Sequence, residues 1–247
     1  MSDAIVVIPT YNEKENIEAI LRRVFALAHE SDGREFDVLI VDDGSPDGTA
    51  DIVRSLQKEF PGVLHMLERK GKQGLGTAYL DGFRWGRDRH FQYFFEMDAD
   101  FSHNPDDLLR LYKTCAEDGY DVAIGSRYIK GVNVVNWPMS RVLLSYFASR
   151  YVRIILRIPV EDTTAGFMCY RRAVLERINF KSIKFVGYAF QIEMKYVAFK
   201  LGFKIKEIPV IFTDRTAGNS KMSNNIIREA VFGVLQLKMR NILKRYK

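Results

Sequence analysis

A chain of 247 residues, 47% hydrophobic and 28% charged, is long enough to bury one sizeable α/β core, and 13% aromatic content excludes an intrinsically disordered chain. A formal charge of +6 favours anionic partners such as nucleotides, phosphates or an acidic membrane face, without choosing among them. Cys115 and Cys169 have neither disulfide nor metal-ligand spacing and read as buried reduced thiols. No uncharged apolar run reaches the roughly eighteen residues of a membrane span, and no signal segment precedes the first strand. The expected location is therefore cytoplasmic, peripheral on the cytoplasmic face of a membrane.

Predicted elements alternate along the first half. Residues 5–8 form a buried strand, and 13–28 carry apolar residues at helical spacing. The unit repeats as strand 38–41 with helix 49–60, strand 63–67 with helix 75–85, and strand 93–97 with helix 107–116, before a further strand at 122–124. Repeated βαβ units imply a mostly parallel, Rossmann-like sheet sandwiched by helices, and such sheets bind ligands beyond the carboxyl ends of their strands.

The second half begins with a long helix at 139–156, which carries Arg141, Arg150 and Arg153 with Arg157 beyond it and holds no acid. A short segment at 164–170, a helix at 188–201, a strand at 205–212 and a helical tail from Asn225 follow. No linker separates the halves. The expected organisation is a catalytic unit over 1–220, with 221–247 an amphipathic basic helix of the same domain.

The strand ends carry the chemistry. After the first comes Pro9-Thr10-Tyr11-Asn12-Glu13, with no glycine-rich turn, which argues against dinucleotide binding. Tyr11 suits stacking on a base and Asn12 suits a helix N-cap, although a plain strand-to-helix turn fits both. After the second comes Asp42-Asp43-Gly44-Ser45-Pro46-Asp47-Gly48-Thr49. Acids there suit a ribose or base, and Asp47 and Thr49 also fit as caps of the next helix.

Glu96-Met97-Asp98-Ala99-Asp100 follows the fourth strand, and carboxylates at i and i+2 leaving a strand can converge on one Mg²⁺ or Mn²⁺. Arg127, in Gly125-Ser126-Arg127-Tyr128, offers a fork of donors to phosphate oxygens or forms a surface ion pair. Asp214-Arg215 with Gly218, Ser220 and Lys221 fits a lid over a diphosphate, or an ordinary basic loop. Glu193, beside Gln191 in an apolar helix start, suits orienting an acceptor or acting as a base, and equally suits a satisfied structural carboxylate.

Taken in order, these stretches resemble the family 2 glycosyltransferases of GT-A fold. With Gly74-Leu75-Gly76-Thr77-Ala78-Tyr79 and Asp98-Ala99-Asp100-Phe101-Ser102-His103, the nearer likeness is to the dolichol-phosphate (polyprenol-phosphate) mannose synthases, in the short form without transmembrane helices. The resemblance implies inverting transfer of mannose from GDP-mannose to a dolichyl or polyprenyl phosphate.

By the same resemblance Pro9, Tyr11, Glu13, Val41 and Asp43 hold guanosine, while Asp98, Ala99 and Asp100 meet diphosphate and metal. Arg127, Arg215 and Lys221 surround the phosphates, and Asp98, Asp100 and Arg127 are the expected catalytic residues. Ser102 stands where some relatives place a glutamine ligand, which makes Asp98, Asp100 and Ser102 the expected metal set. Arg141 and Ser145, four apart on one helical face, would bind the acceptor phosphate.

The short form works peripherally or with separate membrane subunits. Leu143, Phe147, Tyr151, Ile154 and Ile158, and in the tail Ile227, Val231, Val234 and Leu235, provide stripes suited to an anionic interface or to a core. Two rivals stay open: transfer of glucose or N-acetylglucosamine from a UDP-sugar, to a polyprenyl phosphate or a saccharide, and an inactive nucleotide-binding subunit. Nucleic acid is not an expected partner, since no recognition motif is present.

Overall fold

Along the first two strands, successive side chains enter two different cores. Ile5 and Val7 pack on one face of the sheet with Leu39 and Val41, while Ala4, Val6 and Ile8 pack on the other with Val38 and Ile40. Strands buried on both faces need helices on both faces. The computed structural model describes residues 2–30, 33–187, 189–214 and 224–239, with the side chains of 224–231 outside the description.

The first half runs β1 (Ala4–Thr10), α1 (Ile17–Glu30), β2 (Asp37–Asp42), α2 (Thr49–Glu59), β3 (Leu64–Glu68), α3 (Leu75–Arg87), β4 (Tyr93–Glu96), α4 (Asp107–Ala116) and β5 (Val122–Ser126). The second runs β6 (Val134–Val135), α5 (Met139–Leu156), β7 (Met168–Arg171), α6 (Arg172–Arg177), α7 (Ala189–Lys200), β8 (Ile205–Pro209), β9 (Phe212–Thr213) and α8 (Asn224–Met239). Seven strands form one sheet in the order β3-β2-β1-β4-β7-β5-β8, with β6 and β9 in a small second sheet. Every pairing in the large sheet is parallel except those of β7, which lies antiparallel between β4 and β5.

Two glycines set the distance between α3 and the sheet. A Cβ on Gly82 would lie 2.5 Å from Val7 Cγ1, and one on Gly86 would lie 2.6 Å from Phe94 Cε1. Helix and sheet approach too closely there for any side chain, so the Cα atoms themselves make the contact. The second core closes over α1 and α4, whose Ile17, Ile20, Leu21, Leu108 and Leu111 are all fully buried. Cys115 and Cys169 are buried free thiols within it, as expected.

Four local expectations change. Asn12 adopts a left-handed φ of 60° and α1 starts only at Ile17, so Asn12 is not its N-cap. The segment at 164–170 yields the antiparallel β7. The strand expected over 205–212 divides: β8 follows β5 until Pro209 faces Ser126, after which the chain leaves to pair β9 with β6. α5 ends where Arg157 turns left-handed (φ 55°), and Ile158 is 2% exposed, so Ile158 belongs to the core and not to an apolar stripe.

α8 packs on α5 and α7. Gly233 makes room for Phe185, whose Cε1 would stand 2.8 Å from a Cβ there. Val234 is buried and Leu235 exposed. The side chains of Ile227 and Val231, the boundary between 220 and 221, and residues 244–247 lie outside the described residues. Among the described residues, no helix is long and apolar enough to cross a membrane.

Candidate active site

β1, β2 and β4 finish on one edge of the sheet, with Thr10 beside Asp42 and Val7 beside Glu96. Asp42 is spent within the protein. Its carboxylate accepts from Thr10 Oγ1 at 2.9 Å, Ser45 N at 2.9 Å and Ser45 Oγ at 2.6 Å, so it anchors the loop and is not the ligand acid expected. Asp43 meets Arg69, whose Nε donates to Oδ1 at 2.6 Å; the second contact of the pair, from Nη2, also falls on Oδ1.

Arg69 further donates to Thr77 Oγ1 at 2.8 Å and to Asp81 Oδ2 at 3.2 Å, which ties the ends of β2 and β3 to the first turns of α3. The sequence reading missed this arginine, although the strand-end rule, applied to β3 as to its neighbours, points at it.

Tyr11 is half-buried, with Lys72 Nζ 5.1 Å from its ring centroid. Glu13 receives a hydrogen bond from Asn16 Nδ2 at 3.3 Å, and its own N–H donates to Thr49 Oγ1 at 3.1 Å. Pro9 lies beside Val41, whose side chain is fully buried, so Val41 offers the mouth its backbone alone. The N-cap position of α2 falls on Gly48, which has no side chain to cap with, so neither Asp47 nor Thr49 is the cap expected; Asp47 instead accepts from Thr49 N at 3.0 Å and Thr49 Oγ1 at 2.6 Å. Burial works against its ionised form, but these hydrogen bonds hold the carboxyl below its ordinary range.

Beside this end opens a cavity of about 320 Å³. It brings together six of the expected residues: Asp98, Asp100, Ser102 and Arg127 from the sheet edge, and Arg141 and Ser145 from α5. Ala99 is buried and does not line it. Leu144, Phe147, Ala148, Tyr151 and Val152 of α5 add an apolar wall.

The turn after β4 is held by two of its own N–H groups and by Tyr79 of α3. Ser102 N donates to Asp100 Oδ1 at 3.0 Å, Tyr79 Oη to Asp98 Oδ1 at 3.3 Å, and Asp98 N to His103 Nδ1 at 3.1 Å. An accepting Nδ1 places the ring proton of neutral His103 on Nε2. The imidazole stacks on Phe167 at 4.8 Å, and burial holds it below its ordinary pKa, partly offset by Asp98 and Asp100.

The donor set fits a hard divalent cation. Two carboxylates leave one strand end, and Ser102 Oγ beside them is buried with no hydrogen-bond partner among the described residues. No cluster of three or more His, Cys, Asp or Glu suited to a metal occurs among the described residues. Two carboxylates are the usual protein share for Mg²⁺ held jointly with a substrate's phosphates.

Arg127 departs from expectation in part. It borders the cavity, but its Nε and Nη2 grip Asp162 at 2.7 and 2.6 Å, and Nη2 also reaches Thr164 Oγ1 at 2.8 Å. Asp162 is fully buried; burial opposes its charge, and Arg127 nevertheless holds the carboxyl below its ordinary range. Arg141 lies over Trp137 at 4.0 Å and donates from Nη1 to Asp214 Oδ1 at 2.9 Å. Its Nε is buried without a hydrogen-bond partner among the described residues.

Glu193 accepts from the backbone N–H groups of Lys184 and Phe185 at 2.9 and 3.0 Å, which makes it a structural carboxylate and ends the acceptor reading. Arg215 and Lys221 lie outside the described residues.

Residues 5–178 match glycosyl transferase family 2. The chain is 44% identical over 241 residues to a polyprenol monophosphomannose synthase of Mycolicibacterium smegmatis, covering 98% of this chain and 89% of the relative. It is also 44% identical over 230 residues to an undecaprenyl-phosphate mannosyltransferase of Micrococcus luteus, covering 93% and 91%.

Among solved structures, a Pyrobaculum calidifontis mannosyltransferase in complex with GDP-mannose and Mn²⁺ superposes with a TM-score of 0.61 at 19% identity, over 99% of this chain and 65% of that one. Glucosyl-3-phosphoglycerate synthase from Mycobacterium tuberculosis, with Mg²⁺ and UDP, superposes at 0.68 and 17% identity, over 96% and 79%. At such identities the structures establish the GT-A fold, and the sequence matches establish the rest: the chain is a glycosyltransferase and belongs to glycosyl transferase family 2.

Proposed function

We propose that this enzyme transfers mannose, with inversion, from GDP-mannose to a dolichyl or polyprenyl phosphate at the cytoplasmic face of a membrane. The observation that carries this is one cavity joining the Asp98–Asp100 turn to Arg141 and Ser145, with an apolar wall running out along α5. That wall continues onto exposed Leu143, Phe147 and Ile154, near Arg150 and Arg153. An amphiphile with a phosphate head matches such a surface, and a basic apolar face suits peripheral contact with anionic lipid. The names of the two relatives at 44% identity support the same acceptor class.

Pro9, Tyr11, Glu13, Val41 and Asp43 take the guanosine end, with Tyr11 stacking on the base. Asp43 Oδ1 is turned to Arg69, which presets the acid's orientation. Asp98, Asp100 and Ser102 would hold Mg²⁺ or Mn²⁺, which supplies charge neutralisation for the departing diphosphate. Ala99, through its backbone, and Arg215 and Lys221 are the further residues assigned to the phosphates by this reading.

Arg141 and Ser145 position the acceptor phosphate, and a free oxygen of that phosphate attacks the anomeric carbon. The new C–O bond forms as the bond to the diphosphate breaks, and GDP leaves with the electron pair. A phosphate monoester is anionic near neutral pH, so no side chain has to remove a proton. Catalysis consists of aligning two anions and screening their repulsion.

Transfer of labelled mannose from GDP-mannose to a short polyprenyl phosphate, with the purified chain alone and with or without Mn²⁺, tests this. Metal-dependent mannosyl lipid is the expected product. Product from UDP-glucose or UDP-N-acetylglucosamine instead would reassign the donor. No product from any donor, with folded protein, would point to the nucleotide-binding subunit or to a required membrane subunit.

A further inference from the structure

Gln191, on the first turn of α7, is 2% exposed and yet borders the cavity. Its Nε2 donates to Glu96 Oε2 at 2.5 Å. Burial raises the Glu96 carboxyl to about 7; in its ionised form it accepts and does not donate, so the NH₂ edge of the amide faces it and Oε1 turns the other way. Oε1 is buried and has no hydrogen-bond partner among the described residues. Buried carbonyl oxygens are rarely left so, and one at a cavity wall calls for a donor from a ligand.

Gly166, which also borders the cavity, lies against the Nε2 side of this amide. A Cβ on Gly166 would lie 3.6 Å from Gln191 Nε2 and 3.9 Å from Gln191 Cδ, with His103 Cε1 at 3.8 Å. Behind it, the fully buried Lys195 donates to Ala165 O at 2.5 Å and Gln191 O at 3.3 Å, which locks the glycine segment to α7. The glycine and the amide are therefore fixed relative to each other.

The chemistry of the missing donor follows from its neighbours. Phosphate and diphosphate oxygens offer almost no protons near neutral pH, and the donors of a base belong at the far end beside Asp43. Between the Asp98–Asp100 turn and Arg141, the donor class left is a hydroxyl of the transferred sugar. We infer that Gln191 Oε1 accepts a hydrogen bond from a ring hydroxyl of that sugar beside Gly166, which makes the Gln191–Gly166 pair a sugar-reading subsite. This rests on the nucleotide-sugar donor proposed above, but not on the sugar being mannose.

Calorimetric titration of GDP, GDP-mannose and the four monodeoxymannose analogues of the donor, in Mn²⁺, tests it on wild type, Gln191→Met and Gly166→Ala. The expected result is GDP affinity unchanged within about twofold in all three, with GDP-mannose weakened about tenfold in each variant. One deoxy donor should bind wild type about tenfold more weakly than GDP-mannose and show no such penalty on Gln191→Met.

Gly166→Ala keeps the Glu96–Gln191 pair and covers the amide, so it decides the matter if Gln191→Met fails to fold. Donor affinities that follow wild type in both variants would overturn the inference, as would equal losses of GDP and GDP-mannose. If wild type prefers UDP-glucose, the mannose assignment fails, and the same comparison run with UDP and UDP-glucose still tests Gln191.

Discussion

At the end of the mouth proposed for the nucleotide, Arg69 is 9% exposed, and its guanidinium serves Asp43, Thr77 and Asp81. At the end proposed for the acceptor, the side chain of Arg141 keeps 25% of its surface, stacks on Trp137 and pairs through one nitrogen with a half-buried Asp214. Charge plays different parts in the two places. A buried arginine paired several times over is a fixture whose work is to orient an acid. A half-exposed arginine with a buried unpaired Nε can still turn toward an incoming anion. Arg127 sits between these cases, locked to a buried partner like Arg69 and bordering the cavity like Arg141.

The largest effect should come from the turn that both ends share. Asp100→Ala removes a carboxylate of the proposed metal set and leaves the buried Ser102 N–H without that acceptor, so turnover should fall by about a thousandfold or more while thermal stability drops only by the cost of one hydrogen bond, about 1–3 kcal/mol. Steady-state transfer assays and thermal unfolding check this together, and a loss smaller than tenfold would remove Asp100 from the metal site.

Asp162→Ala should act on the fold instead. It strands the Arg127 guanidinium in a buried site, at a cost of about 3–5 kcal/mol measurable by urea unfolding. A cost below about 1 kcal/mol would mean that Arg127 finds solvent or another partner.

Arg141→Ala sharpens the contrast, because its pair with Asp214 is partly exposed and should contribute less than about 1 kcal/mol to stability. Its effect should fall on the acceptor, raising KM for polyprenyl phosphate about tenfold and leaving KM for GDP-mannose unchanged. The reverse pattern would move the acceptor site elsewhere.

These contrasts also mark how far the sequence could be read. Strand ends were legible because period-2 burial and short apolar runs locate them, and they led to Asp98, Asp100, Arg127 and the mouth. Pairing was not legible. Asp43 and Arg69 are 26 residues apart and Arg127 and Asp162 are 35 apart, so nothing local joins either acid to its arginine.

Read singly, Asp42 looked as ligand-like as Asp43, and the hydrogen bonds from Thr10 and Ser45 tell them apart. Gln191 was noticed beside Glu193, yet it was the neighbour that drew the functional reading. The backbone amides that satisfy Glu193 and the glycine that uncovers Gln191 come from segments brought in by tertiary packing. Antiparallel β7 was hidden for a related reason, since its four residues, three of them apolar, carry no mark of direction.

The smallest predicted effect concerns His103, whose ring fixes the Asp98 turn through Nδ1 and stacks on Phe167. Burial lowers its folded pKa below the ordinary 6.5, whereas the unfolded chain takes up its proton near that value. Between the two values the unfolded state binds more protons, so this residue makes stability rise with pH up to about 6.5 and level off above. Acidification from pH 7.5 to 5.5 should therefore cost wild type up to about 1.4 kcal/mol that His103→Asn does not lose, since asparagine can accept from Asp98 N but does not titrate. Urea unfolding of both proteins at the two pH values, with EDTA present to exclude metal binding, isolates the difference. Equal pH dependence in the two would mean that His103 gains its proton as readily folded as unfolded, and that the neutral, Nε2-protonated ring beside the carboxylate pair is misassigned.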